Sequence, residues 1–164
     1  MTIILGIDPA LQHIGWGVVS VSGNQFSFVA CGTIHTNAKH NMPTRLREIH
    51  DGLQQIIALY KPDEAAIEET FVNKNNASSL KLGQARGAII LSTSLAGLEL
   101  SEYSANLVKK SVVGSGHAGK EQVATMVKIL LPASDAKGAD AADALAVAIC
   151  HANHRTAKGY IDVK

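Results

Sequence analysis

The run Thr2-Ile3-Ile4-Leu5-Gly6-Ile7 is apolar or β-branched apart from one glycine and stops at Asp8-Pro9, where proline disfavours helical backbone for the residue before it. It reads as a buried strand, and a buried strand needs other layers of structure to cover it. The following residues begin to supply them. Ile14 to Ser22 and Gln25 to Ile34 flank Gly23-Asn24, a two-residue loop that accepts positive φ in a tight hairpin, so three antiparallel strands are expected at the start. Leu46, Ile49, Leu53, Ile56, Ile57 and Tyr60 recur at three- and four-residue spacing, which predicts an amphipathic helix over Pro43 to Tyr60, stopped by Lys61-Pro62-Asp63.

Ala65-Ala66-Ile67 reads as a short buried strand between acids, and Ser78 or Ser79 can cap a helix running to about Ala96. Leu98 to Tyr103 alternates as another strand. Asn106 to Val113 is a basic segment of ambiguous type, and Gly114 to Gly119 a flexible loop. Lys120 to Leu131 and Ala139 to about Ala152 read as helices. Strands first, then strands alternating with helices, predict an α/β layer fold with a mixed sheet flanked by helices. The 164 residues contain no repeat or linker, which predicts one domain over 1–155 and a short C-terminal tail, 156–164.

Composition excludes several classes. With 46% hydrophobic and 18% charged residues the chain is not of the disordered kind. Its uncharged central stretch, Gly87 to Leu98, falls short of the ~20 apolar residues of a spanning helix, so no membrane partner is expected. The N-terminus lacks the positive residues that open a secretory signal, and Cys31 and Cys150 form neither a metal pattern nor a disulfide framework, so a cytoplasmic location is expected. The net charge of +1 does not announce a nucleic-acid binder, but its distribution is uneven: Phe71 to Leu131 carries +4 and the remainder −3.

Three segments place carboxylates where an element begins or ends. Side chains alternate along a strand, so Ile4, Gly6 and Asp8 share one face and Ile3, Leu5 and Ile7 the other. Glu68 and Glu69 close the second buried strand and point to opposite faces, so at most one of them can meet Asp8. Asp140 and Asp143 lie a turn apart on one face of a helix in which six of the ten residues from Ala139 to Ala148 are alanine, small enough to pack tightly on a sheet. Taken singly, these are ordinary turn and helix-start acids. Gathered, such carboxylates require cations to stay ionised, and hard oxygen donors suit Mg²⁺ or Mn²⁺. Two such ions can activate water and stabilise the leaving oxygen of a phosphodiester.

The motifs Leu5-Gly6-Ile7-Asp8-Pro9, Gly15-Trp16-Gly17-Val18, Ala66-Ile67-Glu68-Glu69-Thr70-Phe71, Lys81-Leu82-Gly83-Gln84-Ala85-Arg86-Gly87, Val108-Lys109-Lys110, Val112-Val113-Gly114 and Asp140-Ala141-Ala142-Asp143-Ala144-Leu145-Ala146 occur in an order that resembles RuvC-type crossover junction endodeoxyribonucleases over essentially the whole chain. The resemblance implies a ribonuclease H-like fold and a homodimeric resolvase of four-way (Holliday) junction DNA. It also implies paired symmetric nicks leaving 5′-phosphate and 3′-hydroxyl ends, and a branch-migration helicase as partner. Asp8, Glu68, Asp140 and Asp143 then correspond to the metal-binding catalytic carboxylates, holding two ions per site, and Glu68 is selected over Glu69. Lys109 and Lys120 correspond to basic residues that matter for junction DNA, and Phe71 to an aromatic that engages its bases. Lys74, Lys81, Arg86 and Lys110 are expected to add backbone contacts, and the helix over Leu80 to Leu95 resembles the family's dimer-contact helix.

The chain departs from the pattern at Ala10, where a glycine is usual, and at Gly119, where an acid is frequent. His151 follows Asp140 by about three helical turns, too far to share a site, so His151 and His154 read as structural or surface residues. Three other functions remain compatible with the residues alone: a ribonuclease H-like enzyme acting on RNA–DNA hybrid or ribosomal RNA precursor, an actin-like ATPase, and a non-catalytic junction-binding module. The ATPase reading needs two related domains, for which 164 residues are too few.

Overall fold

The computed structural model describes residues 1–70 and 75–155. Three antiparallel strands come first, β1 (Thr2–Asp8), β2 (His13–Ser22) and β3 (Gln25–His35). Strand β4 (Glu64–Glu68) then pairs parallel to β1, and β5 (Leu100–Tyr103) parallel to β4, giving the sheet order β3-β2-β1-β4-β5. The first strand is thus the central one, as its uniform apolarity requires. The hairpin turns at Gly23, whose φ of 58° is the left-handed backbone a tight turn needs.

Helices α1 (Met42–Tyr60) and α2 (Asn76–Leu95) cover one face of the sheet, where Ile49, Leu53, Ala85 and Ile89 pack on Leu5, Ile7, Ile14, Val18 and Ile67. Helices α3 (Ala105–Val113), α4 (Lys120–Leu130) and α5 (Ala139–His154) cover the other, where Val108, Val112, Val123, Val127, Leu145 and Ile149 meet Ile4, Val19, Ala66 and Tyr103. The alternation expected along β1 therefore holds: Ile4 and Leu5 belong to opposite cores. No helix among the described residues is long and apolar enough to cross a membrane.

Two expectations about the elements, the start of α2 and the start of β5, are corrected, and two points left open by the sequence are filled in. Helix α2 starts ahead of the serines, because the Asn75 side chain accepts from the Ser78 N–H at 3.2 Å. The ambiguous segment before Val113 is a helix, capped by Ser104 at its start and by Gly114 in left-handed backbone (φ 86°) at its end. Strand β5 begins only at Leu100, since Gly97 turns the chain and the Leu98 N–H closes on the Thr93 carbonyl. Ala10 stays out of the positive-φ region, so the turn after Asp8-Pro9 does not require glycine.

Far from the acids, α5 is pinned by a buried polar chain. The Tyr103 hydroxyl lies 2.8 Å from His151 Nδ1, and His151 Nε2 lies 2.7 Å from a Glu64 oxygen that Arg155 also engages. Burial holds His151 below the ordinary histidine range against the pull of Glu64. Glu64 stays ionised because the Arg155 and His151 hydrogen bonds outweigh its own burial. The assignment consistent with both is a neutral imidazole that accepts from Tyr103 and donates to Glu64. His151 is a structural residue, as expected.

Candidate active site

Asp8 is the last residue of β1 and Glu68 the last of the parallel neighbour β4, so both carboxylates leave the same end of the sheet. By alternation Glu68 faces α5 with Asp8, while Glu69 is exposed. The opposing helix delivers the other two acids, Asp140 and Asp143, from its first turns. Its placement is set by three glycines: a Cβ on Gly6 would fall 2.1 Å from the Ala144 carbonyl oxygen, and one on Gly15 2.1 Å from that of Asp140. A Cβ on Gly17 would fall 2.7 Å from the Leu145 side chain. Alanines on the helix and glycines on β1 and β2 thus let the two backbones approach closely enough to bring the acids to the strand ends. The alanines already imply this close packing in the sequence, and the two glycines of Gly15-Trp16-Gly17 are its counterpart on the sheet.

A cavity of ≈ 180 Å³ opens between these elements, lined by Asp8, Glu68, Asp143, Lys109 and Lys120 over an apolar floor of Ala105, Val108, Val123 and Ala146. Asp140 stands beside it and acts on Asp8 and Asp143 through its charge. Burial, reinforced by the charges of Glu68, Asp143 and Asp140, pushes Asp8 up to about 7, with Lys120 offsetting part of the rise. Burial and Asp143 raise Glu68 against Lys109 and Lys120. Burial also raises Asp143, although Lys120 Nζ lies 3.6 Å from its Oδ2.

Lys120 is the first residue of α4, next to the positive end of that helix's own dipole, a placement unfavourable for a cation. It is nevertheless exposed over the acids. Lys109 lines the same cavity from α3, whereas Lys110, one residue on, is exposed outside the lining. Lys81 is exposed on α2. Phe71 and Lys74 lie outside the described residues.

Arg86 stands differently from the other basic residues. Its guanidinium is turned inward, donating to the Glu68 carbonyl oxygen at 2.9 Å and pairing with Glu102, and only 14% of its side chain is exposed. These contacts lie within the fold, whereas the DNA contact expected of it calls for an outward guanidinium. The sequence held a sign of this: Arg86 lies three residues before the buried Ile89, hence on the inner stripe of α2.

The donor set is one that hard divalent cations take: clustered, desolvated carboxylates with lysines at the rim. As the side chains stand, no group of three or more His, Cys, Asp or Glu among the described residues is arranged to hold a metal ion. The raised proton affinities come first from burial and then from the acids' mutual repulsion.

A mixed sheet of this order, with acids from β1, β4 and α5 meeting at one end, defines a ribonuclease H-like α/β nuclease. The family model described as crossover junction endodeoxyribonuclease RuvC matches residues 4–151. The chain belongs to that family. It is 56% identical over 158 residues to the crossover junction endodeoxyribonuclease RuvC of Methylocella silvestris, covering 96% of this chain and 90% of that protein. It is 54% identical to that of Rhizobium johnstonii over 93% and 90% of the two chains. Among solved structures, Thermus thermophilus RuvC in complex with Holliday junction substrate superposes with a TM-score of 0.88 at 31% identity, covering 94% of this chain and 95% of that one. The yeast mitochondrial Holliday junction resolvase Ydc2 shares the fold, with a TM-score of 0.62 at 12% identity over 90% and 77% of the two chains.

Proposed function

We infer that this chain is a structure-selective endonuclease that resolves four-way DNA junctions by paired, symmetric, metal-dependent nicks. The observation that carries the reading is the meeting of Asp8, Glu68 and Asp143, with Asp140 beside them, in one half-buried pocket rimmed by Lys109 and Lys120. Those four acids would hold two Mg²⁺ or Mn²⁺ ions. Bound there, the ions would supply an activated water and stabilise the leaving 3′ oxygen.

The protein's own part is positional and electrostatic. The strand ends and the first turns of α5 fix four carboxylates on rigid elements, so that little reorganisation accompanies the reaction. Lys109 and Lys120 draw a phosphate toward the acids and partly neutralise them before any cation arrives. Hydrolysis breaks the bond between phosphorus and the 3′ oxygen, leaving a 5′-phosphate and a 3′-hydroxyl. Lys74, Lys81 and Lys110 would extend the contact along the backbone, and Phe71 would stack on a junction base, worth ~1–3 kcal/mol.

A homodimer suits a substrate with two-fold symmetry. Its support is the face of α2, where Leu80, Leu91 and Leu95 are 66%, 58% and 68% exposed beside an apolar groove of ≈ 440 Å³ lined by Leu46, Gly87 and Ala88. The nuclease unit is taken as residues 1–155, whose described elements run from Thr2 to His154, and 156–164 as a C-terminal tail on the sequence reading alone. Two unpaired cysteines suit a reducing cytoplasm, and a branch-migration helicase is the expected partner.

The test is incubation of the purified chain with a synthetic mobile four-way junction and Mg²⁺, beside matched duplex and RNA–DNA hybrid, with Asp8→Asn as control. Paired symmetric nicks in the junction alone, absent from the variant, are expected. Cleavage of hybrid alone, or tight junction binding without cleavage in Mg²⁺ or Mn²⁺, would overturn the reading.

A further inference from the structure

The peptide unit joining Glu68 to Glu69 is held at both of its polar atoms. Its N–H donates to the Tyr103 carbonyl at 2.8 Å, and its carbonyl oxygen accepts from Arg86 Nη1 at 2.9 Å. The other end of the same guanidinium is paired with Glu102 on β5. Strand register explains how one residue reaches both partners. Glu102 lies beside Ile67, which faces α1 and α2, whereas Tyr103 lies beside Glu68 and faces α5. Arg86 therefore reaches the strand end from the α2 side of the sheet, behind the carboxylate that Glu68 presents to Asp8.

This is the point at which the β-ladder gives out, since β4 ends at Glu68. Without a further anchor the strand end could rotate about the Glu68 N–Cα bond, which swings its Cβ and the following peptide together. Fixing both the oxygen and the nitrogen of the following peptide removes that freedom and leaves only the rotamers of Glu68. Hydrogen bonds from a charged guanidinium are stronger than neutral ones, and Glu102 offsets the cost of burying it. Arg86 touches the backbone oxygen rather than the carboxylate, so what it contributes to the pocket is direction.

We propose that Arg86, held in place by Glu102, is a positioning residue for Glu68, fixing the strand-end peptide and thereby the direction in which the Glu68 carboxylate enters the divalent-cation site. The proposal rests on the reading of the four carboxylates as the cation-binding set. Groups that orient metal ligands typically change affinity by about 10- to 100-fold when removed.

The deciding measurement is Mn²⁺ binding to the full chain without DNA, by calorimetry and by electron paramagnetic resonance, for wild type, Asp8→Asn, Arg86→Gln, Arg86→Lys and Glu102→Gln. Cation-free junction binding over a range of salt is measured in parallel. Arg86→Gln is expected to weaken Mn²⁺ binding by about 10- to 100-fold while its junction affinity and salt slope stay at the wild-type values. Glu102→Gln should shift the same way by less, and Arg86→Lys should recover part of the loss. Should Arg86→Gln fail to fold, Glu102→Gln, which removes the charge that holds the guanidinium against the Glu68 carbonyl, decides the matter by its Mn²⁺ affinity. Unchanged Mn²⁺ affinity in the folded variants overturns the proposal. So does a junction-binding loss in Arg86→Gln with the salt slope shallower by about 1, the mark of a phosphate contact. If wild type and Asp8→Asn bind Mn²⁺ alike, the cation-site reading itself falls and takes the proposal with it; if they differ while the Arg86 variants do not, only the proposal falls.

Discussion

Between pH 4 and 7 Asp8 carries a proton in the folded protein that it has already lost in the unfolded chain, because burial and its three acidic neighbours lift it to about 7. An acid whose folded pKa is raised makes stability fall as pH rises from its unfolded value toward its folded one, with no further loss above. Glu68 and Asp143 shift in the same direction. The cation-free protein should therefore lose stability across this window relative to Asp8→Asn, and Mg²⁺ should restore it at pH 7.5. Thermal melts of both proteins at stepped pH, with and without Mg²⁺, test this; parallel profiles would refute it. Lys120 invites a second test, because it occupies a cation-unfavourable helix start. Lys120→Ala should leave the melting temperature unchanged or slightly higher in Mg²⁺ while slowing junction cleavage by about 10²-fold, the usual scale for losing one electrostatic stabiliser.

At the scale of elements, the site depends on how closely α5 lies on β1 and β2. Gly6→Ala and Gly15→Ala both force a Cβ into helix backbone, at the Ala144 and Asp140 carbonyls respectively. Each should cost about 1–3 kcal/mol as an overpacking change, read from urea denaturation midpoints. They should differ in activity. Gly15 presses on the turn that carries the acids, and a displacement of about 1 Å there can cost 10²-fold in rate, so Gly15→Ala should lose the more activity at equal stability. Equal activity losses would show that the helix moves as a rigid whole. Much of this architecture was legible in the sequence, because β1, β2, α1 and α5 bury whole faces and burial writes a period into the residues. The three-residue spacing of Asp140 and Asp143 likewise puts them on one face of the helix. Less legible were α3, which is short and owes its ends to Ser104 and Gly114, and the start of α2, where Asn75 competes with two serines for the cap. The inward turn of Arg86 was the hardest to read, because composition counts it as one more cation and only its place beside the buried stripe of α2 says otherwise.

For the whole molecule, local periodicity does not dictate which surfaces are left for partners, since an exposed leucine stripe and a buried one have the same spacing. The two faces of α2 show the difference. Ala85, Ile89 and Thr93 are buried against the sheet, while Leu80, Leu91 and Leu95 look outward across Gly83 and Gly87, where even a Cβ would meet no other atom within 4 Å. Such an apolar face with a small-residue floor allows a second α2 to approach closely, and a closed two-fold pairing would cover it while giving the molecule two pockets. Leu91→Glu places a charge in the middle of that face without touching either core. Sedimentation is expected to show a dimer for the wild type and a monomer for the variant, with the melting temperature of the monomer little changed at low protein concentration. The same variant should still bind Mn²⁺, since its carboxylates are untouched, but on a four-way junction it should give single, unpaired nicks at a lower rate. Paired nicks from a protein that sediments as a monomer at the assay concentration would sever the link between α2 pairing and symmetric cleavage, and would assign the two cuts to successive encounters of one active site.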